Sequence, residues 1–96
     1  METTGQRFKQ IRNELRMSQE AFGESIGLSK AGISAVEKDR TFVSAKILSK
    51  LFVDYNINLN WLIVGQGNMF NAPKYEDVKD EILKEVEEML RKRGIN

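Results

Sequence analysis

Four closely spaced side chains, Lys30, Ala31, Ser34 and Ala35, are of types that can read the edges of nucleic-acid bases. A lysine ammonium donates to guanine O6 or N7, a serine hydroxyl donates or accepts, and alanine methyls can touch the thymine methyl group. On a helix these positions share one side and leave Ile33 and Val36 to be buried on another. Just beyond them, Lys38, Arg40, Thr41 and Ser44 are suited to phosphate contacts, which set register without reading sequence. Other chemistries lack their residues. The chain has no Cys and no His, which removes disulfides, thiol chemistry, the commonest metal ligand and the commonest general base. Ser29 beside Lys30 is no catalytic dyad by adjacency alone, and no cluster of metal-ligand spacing is present. No enzymatic activity, metal or cofactor is expected.

The elements that must hold the reading positions lie between Ser18 and Arg40, SQEAFGESIGLSKAGISAVEKDR. Ser18 can cap a first short helix carrying Phe22 and Ile26 at i and i+4, and Gly27 suits a tight turn with positive φ. Leu28 follows as a plug for the turn, and Ser29 caps a second helix over about 29–38. Two short helices joined this tightly outline a helix-turn-helix, with the second helix presenting Lys30, Ala31, Ser34 and Ala35 to the major groove. Gly23 and Gly32 each cost about 1 kcal/mol inside a helix relative to Ala, so something must offset them. A close helix crossing is the expected reason at Gly23, and either a crossing or a nearby nucleic-acid backbone at Gly32. Lys30 in a first turn opposes the helix dipole, a sign that an anionic or base-edge partner would reverse.

The rest of the chain reads as further helices. Thr3 to Gln6 has capping-box spacing, and Phe8, Ile11 and Leu15 repeat at i, i+3 and i+7, predicting a helix over 4–16 with Arg7, Lys9, Arg12 and Arg16 largely on its wet side. Ser44 caps a fourth helix with a core stripe of Ile47, Leu48, Leu51 and Phe52, running to about Tyr55. Asn58 caps a fifth whose Leu59, Trp61, Leu62 and Ile63 are too apolar for water, and Gly65 and Gly67 end it. Asn71, Ala72 and Pro73 mark a boundary. Beyond it, residues 75–93 form a strong helical pattern with acids first and Arg91, Lys92 and Arg93 last, as the helix dipole prefers. Its stripe of Val78, Ile82, Leu83, Val86, Met89 and Leu90 needs cover, by self-association, by its own domain or by a foreign partner. Self-association through Val78, Ile82, Val86, Met89 and Leu90 is the favoured reading.

The Ser18 to Arg40 segment resembles the phage-repressor and Cro-like (Xre-type) helix-turn-helix family. Gln19 opens the first motif helix, Gly23 is the small residue, Gly27 the turn glycine and Ile33 the buried aliphatic of the recognition helix. The likeness continues to Asn58, Trp61, Leu62, Gly65 and Gly67, so it covers about residues 4–70. It implies a five-helix repressor-like domain over 1–71; with the linker and C-terminal amphipathic helix read over 72–96, the expected fold is all-α. It also implies that Gln19 holds a phosphate and braces a reading side chain, and that Trp61 is a core or interface anchor. The departure lies in Glu37, Lys38, Asp39 and Arg40, where many relatives carry an Asn-Gly turn. Relatives that cleave themselves carry a separate peptidase domain, for which this chain has no room.

Composition is consistent with that picture. With 96 residues, 41% of them hydrophobic, the chain can build one small core. Net charge is +1, but residues 1–50 hold 9 Lys or Arg against 6 Asp or Glu, so the basic excess sits with the motif. No apolar run reaches the roughly 20 residues of a membrane span, and METTGQRFKQ lacks a signal peptide's apolar core, so a cytoplasmic location is expected. One recognition helix covers few base pairs, which implies a homodimer on a palindromic operator, with no small-molecule ligand evident. The reading is a sequence-specific transcriptional regulator, most simply a repressor of phage or mobile-element type. The alternative is a protein-interaction module of antitoxin or anti-repressor type that uses the C-terminal helix.

Overall fold

Five helices begin where a side-chain oxygen replaces a missing backbone acceptor. In the computed structural model, which describes residues 1–73 and 75–94, they are α1 (Thr4–Glu14), α2 (Gln19–Ile26), α3 (Lys30–Glu37), α4 (Ala45–Tyr55) and α5 (Leu59–Val64), followed by α6 (Tyr75–Lys92). Lys74, Ile95 and Asn96, which belong to the expected 72–96 segment, lie outside the described residues. Thr3 caps α1 in a full capping box with Gln6, while Ser18, Ser29, Ser44 and Asn58 cap the next four helices as their spacing predicts. The ends of α2, α4 and α5 turn through left-handed Gly27, Asn56 and Gly65. The first helix stops two residues short of the expected 16, because Arg16 takes φ 57° and turns the chain toward α2.

One core joins these helices. Phe8 and Ile11 from α1, Phe22 and Ile26 from α2, Ile33 and Val36 from α3 and Ile47 and Leu51 from α4 meet Val43, Ile57 and Leu62. Phe8 and Phe22 pack as tilted rings with centroids 5.3 Å apart, and Tyr55 adds its ring to Phe22 while its hydroxyl donates to Ser25 Oγ at 2.7 Å. Leu28 is half-buried against this core, as a plug for the turn should be. Residues 69–71 return beside 56–58: Asn58 N donates to Met69 O, Asn71 N to Asn56 O, and Asn71 Nδ2 to Ile57 O.

Four expectations about burial fail. Arg7 is not on the wet side of α1 but 7% exposed, because the last carbonyls of α5 need donors and its guanidinium supplies them. Arg12 is likewise drawn inward, by a carboxylate on α3, whereas Lys9 and Arg16 are exposed as expected. Phe52 is 52% exposed, since it stands about 100° round α4 from Leu51 and passes the edge of the face that packs. Ile63 is exposed too, while Leu62 beside it is buried and Trp61 packs partly against the core.

Helix α6 leaves this body. Described residues extend 60 Å along the longest axis but only 28 and 21 Å along the others, and no other helix covers the apolar stripe of α6. Ile82, Leu83, Val86, Met89 and Leu90 are exposed, and Val78 is half-buried. Among the described residues, no helix is long and apolar enough to cross a membrane.

Candidate nucleic-acid interface

The turn between α2 and α3 is built around Gly23 and Gly27. Gly27 takes φ 87°, and the amides of Gly27 and Leu28 both donate to Gly23 O at 2.8 Å. A Cβ on Gly23 would fall 2.3 Å from Leu28 O and 3.1 Å from Ile33 Cγ1, so the turn closes onto α2 only because that side chain is missing. Close approach at Gly23 is therefore observed. At Gly32 it is not: a Cβ there would stand 3.3 Å from Ser29 Oγ and 3.4 Å from Leu28 Cδ2, with no helix crossing.

Burying Ile33 and Val36 rolls α3 so that Lys30 and Ala31 are exposed and Ser34 and Ala35 are half-buried on the opposite side. All four sequence-predicted base readers therefore share one face, and Lys38 continues it one turn beyond Ser34. Lys30 borders a shallow groove that it shares with Glu20, Glu24, Leu28 and Ser29, and among the described residues it makes no ion pair. Lys38, Arg40, Thr41 and Ser44 are all exposed along the edge that follows α3. Ser44 also accepts from Ile47 N, which leaves its hydroxyl proton for another acceptor.

Gln19 stands apart from the exposed readers. It is half-buried at the start of α2, and its Nε2 donates to Glu37 Oε1 at 3.1 Å, so the side chain it braces is Glu37, which is not among the expected readers. Glu37 is the centre of a clamp. Arg12 Nε donates to its Oε2 at 2.6 Å and Arg12 Nη2 to its Oε1 at 3.2 Å, while Arg12 Nη1 reaches Met17 O at 3.0 Å. Burial pushes the Glu37 carboxyl toward a higher pKa. Hydrogen bonds from Arg12 and Gln19 and the charges of Arg12 and Lys9 outweigh that, leaving it below the ordinary glutamate value. The far end of α3 is thus tied to both α1 and α2.

A second tie holds the loop after α3. Asp39 takes the left-handed φ 59° and accepts from Thr3 Oγ1 at 2.6 Å and from Gly5 N at 2.9 Å. Gly5 permits this, since a Cβ there would lie 2.4 Å from Val36 O. Neither the Glu37 clamp nor the Asp39 tie follows from the apolar periodicity. The available signals were Glu37 beside a buried Val36 and an Asp one step past a helix end, a residue type that tolerates the left-handed region.

The geometry agrees with the comparisons. The sequence profile of the helix-turn-helix family matches residues 8–62, which span α1 to α5. No curated protein matches the chain. Among solved structures, the P22 c2 repressor protein in complex with synthetic operator 9T, in the presence of Tl+, matches with a TM-score of 0.63 and 26% identity over 69% of this chain and 100% of that chain. With the tight turn at Gly27, the buried Ile33 and the opposite face of α3 turned from the core, this chain belongs to the helix-turn-helix family of phage-repressor and Cro-like type.

Proposed function

We propose that this chain acts as a homodimer that lays α3 in the major groove of a palindromic operator. As a member of its family it is a DNA-binding transcriptional regulator of phage-repressor type. The observation that carries the finer reading is the far face of α3: Lys30, Ala31, Ser34 and Ala35 point away from the core, on a helix whose other end is clamped at Glu37. A reading helix must hold its side chains within a fraction of an ångström of base edges, and a helix this short gains that rigidity from its ties. Lys38, Arg40, Thr41 and Ser44 would meet phosphates beside it, and Gln19 would add one at the start of α2 with its free carbonyl fixing a bridging water. Repression is the favoured outcome of such binding, and a cytoplasmic location suits it.

The domain over 1–71 would supply the DNA contacts and the segment over 72–96 the pairing, through Val78, Ile82, Val86, Met89 and Leu90. The decisive experiment selects an operator from random DNA and compares wild type with Lys30→Ala by gel shift. A changed base preference with affinity lowered by about tenfold, the worth of one good base contact, is expected. Unchanged affinity and unchanged preference would remove this face from the readout.

A further inference from the structure

We infer that α6 pairs with α6 of a second copy in antiparallel orientation over its full length, which rests on the reading of the tail as the pairing element. An exposed helix of 18 residues whose apolar side chains stay in water is marginal on its own, so its folded form implies cover. Charge decides which cover fits. Glu76, Asp77, Asp80 and Glu81 crowd the first turns with only Lys79 among them, and Arg91, Lys92 and Arg93 close the segment. A parallel pair would set each cluster beside its own copy, acid against acid and base against base. An antiparallel pair sets the acidic start of one helix against the basic end of the other and opposes the two helix dipoles as well.

Full overlap of the 18-residue helices follows, because only then do both ends meet their opposites. In that register Val78 lies level with Met89 of the second copy and Glu76 with its Arg91. Lys79 separates the two orientations. It lies on the apolar side of α6, where among the described residues its partner is Glu76 one turn back, at 3.3 Å. A parallel pair would instead bring two Lys79 ammonium groups together inside the seam. The globular halves then stand at opposite ends of a helix pair about 27 Å long.

The absence of Cys makes the orientation directly measurable. Val78→Cys and Met89→Cys are prepared separately in the full chain, treated with a short thiol cross-linker alone and mixed one to one, and wild type is sedimented in parallel. Antiparallel pairing predicts a strong cross-link in the mixture and a much weaker one in each variant alone, because two copies of Val78 would be about 16 Å apart along the axis. Strong self-cross-linking of each variant would mean a parallel pair and overturn the inference. A wild-type monomer without any cross-link would overturn both it and the pairing role of the tail, leaving the helix to a foreign partner. A wild-type dimer that no cross-link captures, and that survives Ile82→Lys with Val86→Lys, would move the interface away from α6 and overturn it too. DNA binding is read separately by gel shift of the same samples, so loss of the antiparallel pair and loss of the DNA-binding reading are distinct results.

Discussion

Arg12 on α1 and Glu37 at the end of α3 meet at 2.6 Å, with only 14% and 5% of their side chains exposed, and so couple the helix that carries the core's first aromatic ring to the second helix of the helix-turn-helix. The pair is charge-assisted and bidentate, which fixes direction as well as distance. Gln19 completes it from α2, so a single carboxylate sets how α3 sits against both of its neighbours.

Glu37→Gln should make that coupling visible as a change in pH dependence. The Glu37 carboxyl titrates below its ordinary value in the folded chain. Its stabilising contribution is therefore full above the unfolded-state value and is lost as pH falls through the folded value. The variant should unfold at lower urea than wild type at neutral pH, by about 2 kcal/mol, the scale of a hydrogen bond to a charged group. The gap should narrow as pH is lowered into the acid range. A gap that is constant with pH would mean that the carboxylate charge is not what the clamp uses.

Arg7→Ala should destabilise more than any other substitution of a basic residue on α1. Its guanidinium donates to Leu62 O at 2.8 Å, Ile63 O at 3.1 Å and Glu2 O at 3.0 Å, so three backbone acceptors lose a donor at once. The expected loss is about 3 kcal/mol, seen as a lower urea midpoint, whereas Lys9→Ala on the exposed side should stay within about 0.5 kcal/mol. Arg7→Lys should recover only part of it, since an ammonium cannot reproduce the planar fork.

These two arginines mark where the sequence stops being legible. The caps at Thr3, Ser18, Ser29, Ser44 and Asn58, the turn at Gly27 and the buried sides of α1, α2 and α3 are local patterns, and each stands where its spacing placed it. Arg7 and Arg12 were misplaced because periodicity sorts residues by polarity. An arginine drawn inward by carbonyls 55 residues away, or by a carboxylate 25 away, looks the same in sequence as a solvated one. Phe52 fails in the opposite sense: it is apolar and in phase, but the face of α4 that finds neighbours is narrower than its apolar stripe. The side of α3 on which Lys30, Ala31, Ser34 and Ala35 stand was legible, because burial of Ile33 and Val36 leaves them only one side.

Gly23→Ala and Gly32→Ala separate a packing glycine from a neutral one. At Gly23 the new methyl would meet the Leu28 carbonyl at 2.3 Å, and backbone must move, so a loss of about 2–3 kcal/mol is expected in spite of the gain in helix propensity. At Gly32 the nearest atoms are the Ser29 hydroxyl at 3.3 Å and the end of Leu28 at 3.4 Å, both of which can give. Stability there should change by less than about 1 kcal/mol in either direction. If Gly32→Ala keeps its stability but loses operator affinity, the position lies against DNA; if it keeps both, the glycine is merely tolerated.

Lys38→Ala should behave unlike Lys30→Ala, although both replace an exposed lysine of the same helical face. Lys38 stands where α3 gives way to the loop that Asp39 ties to Thr3 and Gly5, a placement suited to a phosphate rather than a base edge. Its removal should weaken binding to all operator variants by a similar factor and lower the slope of log affinity against log salt by about one. Lys30→Ala should instead reorder the preference among operator variants. Gel shifts across a salt series on a selected operator and its single-base variants measure both. If Lys38→Ala reorders the variants while Lys30→Ala weakens all of them alike, the assigned roles of base reader and phosphate anchor are exchanged, and the amino-terminal end of α3 is not the end that enters the groove.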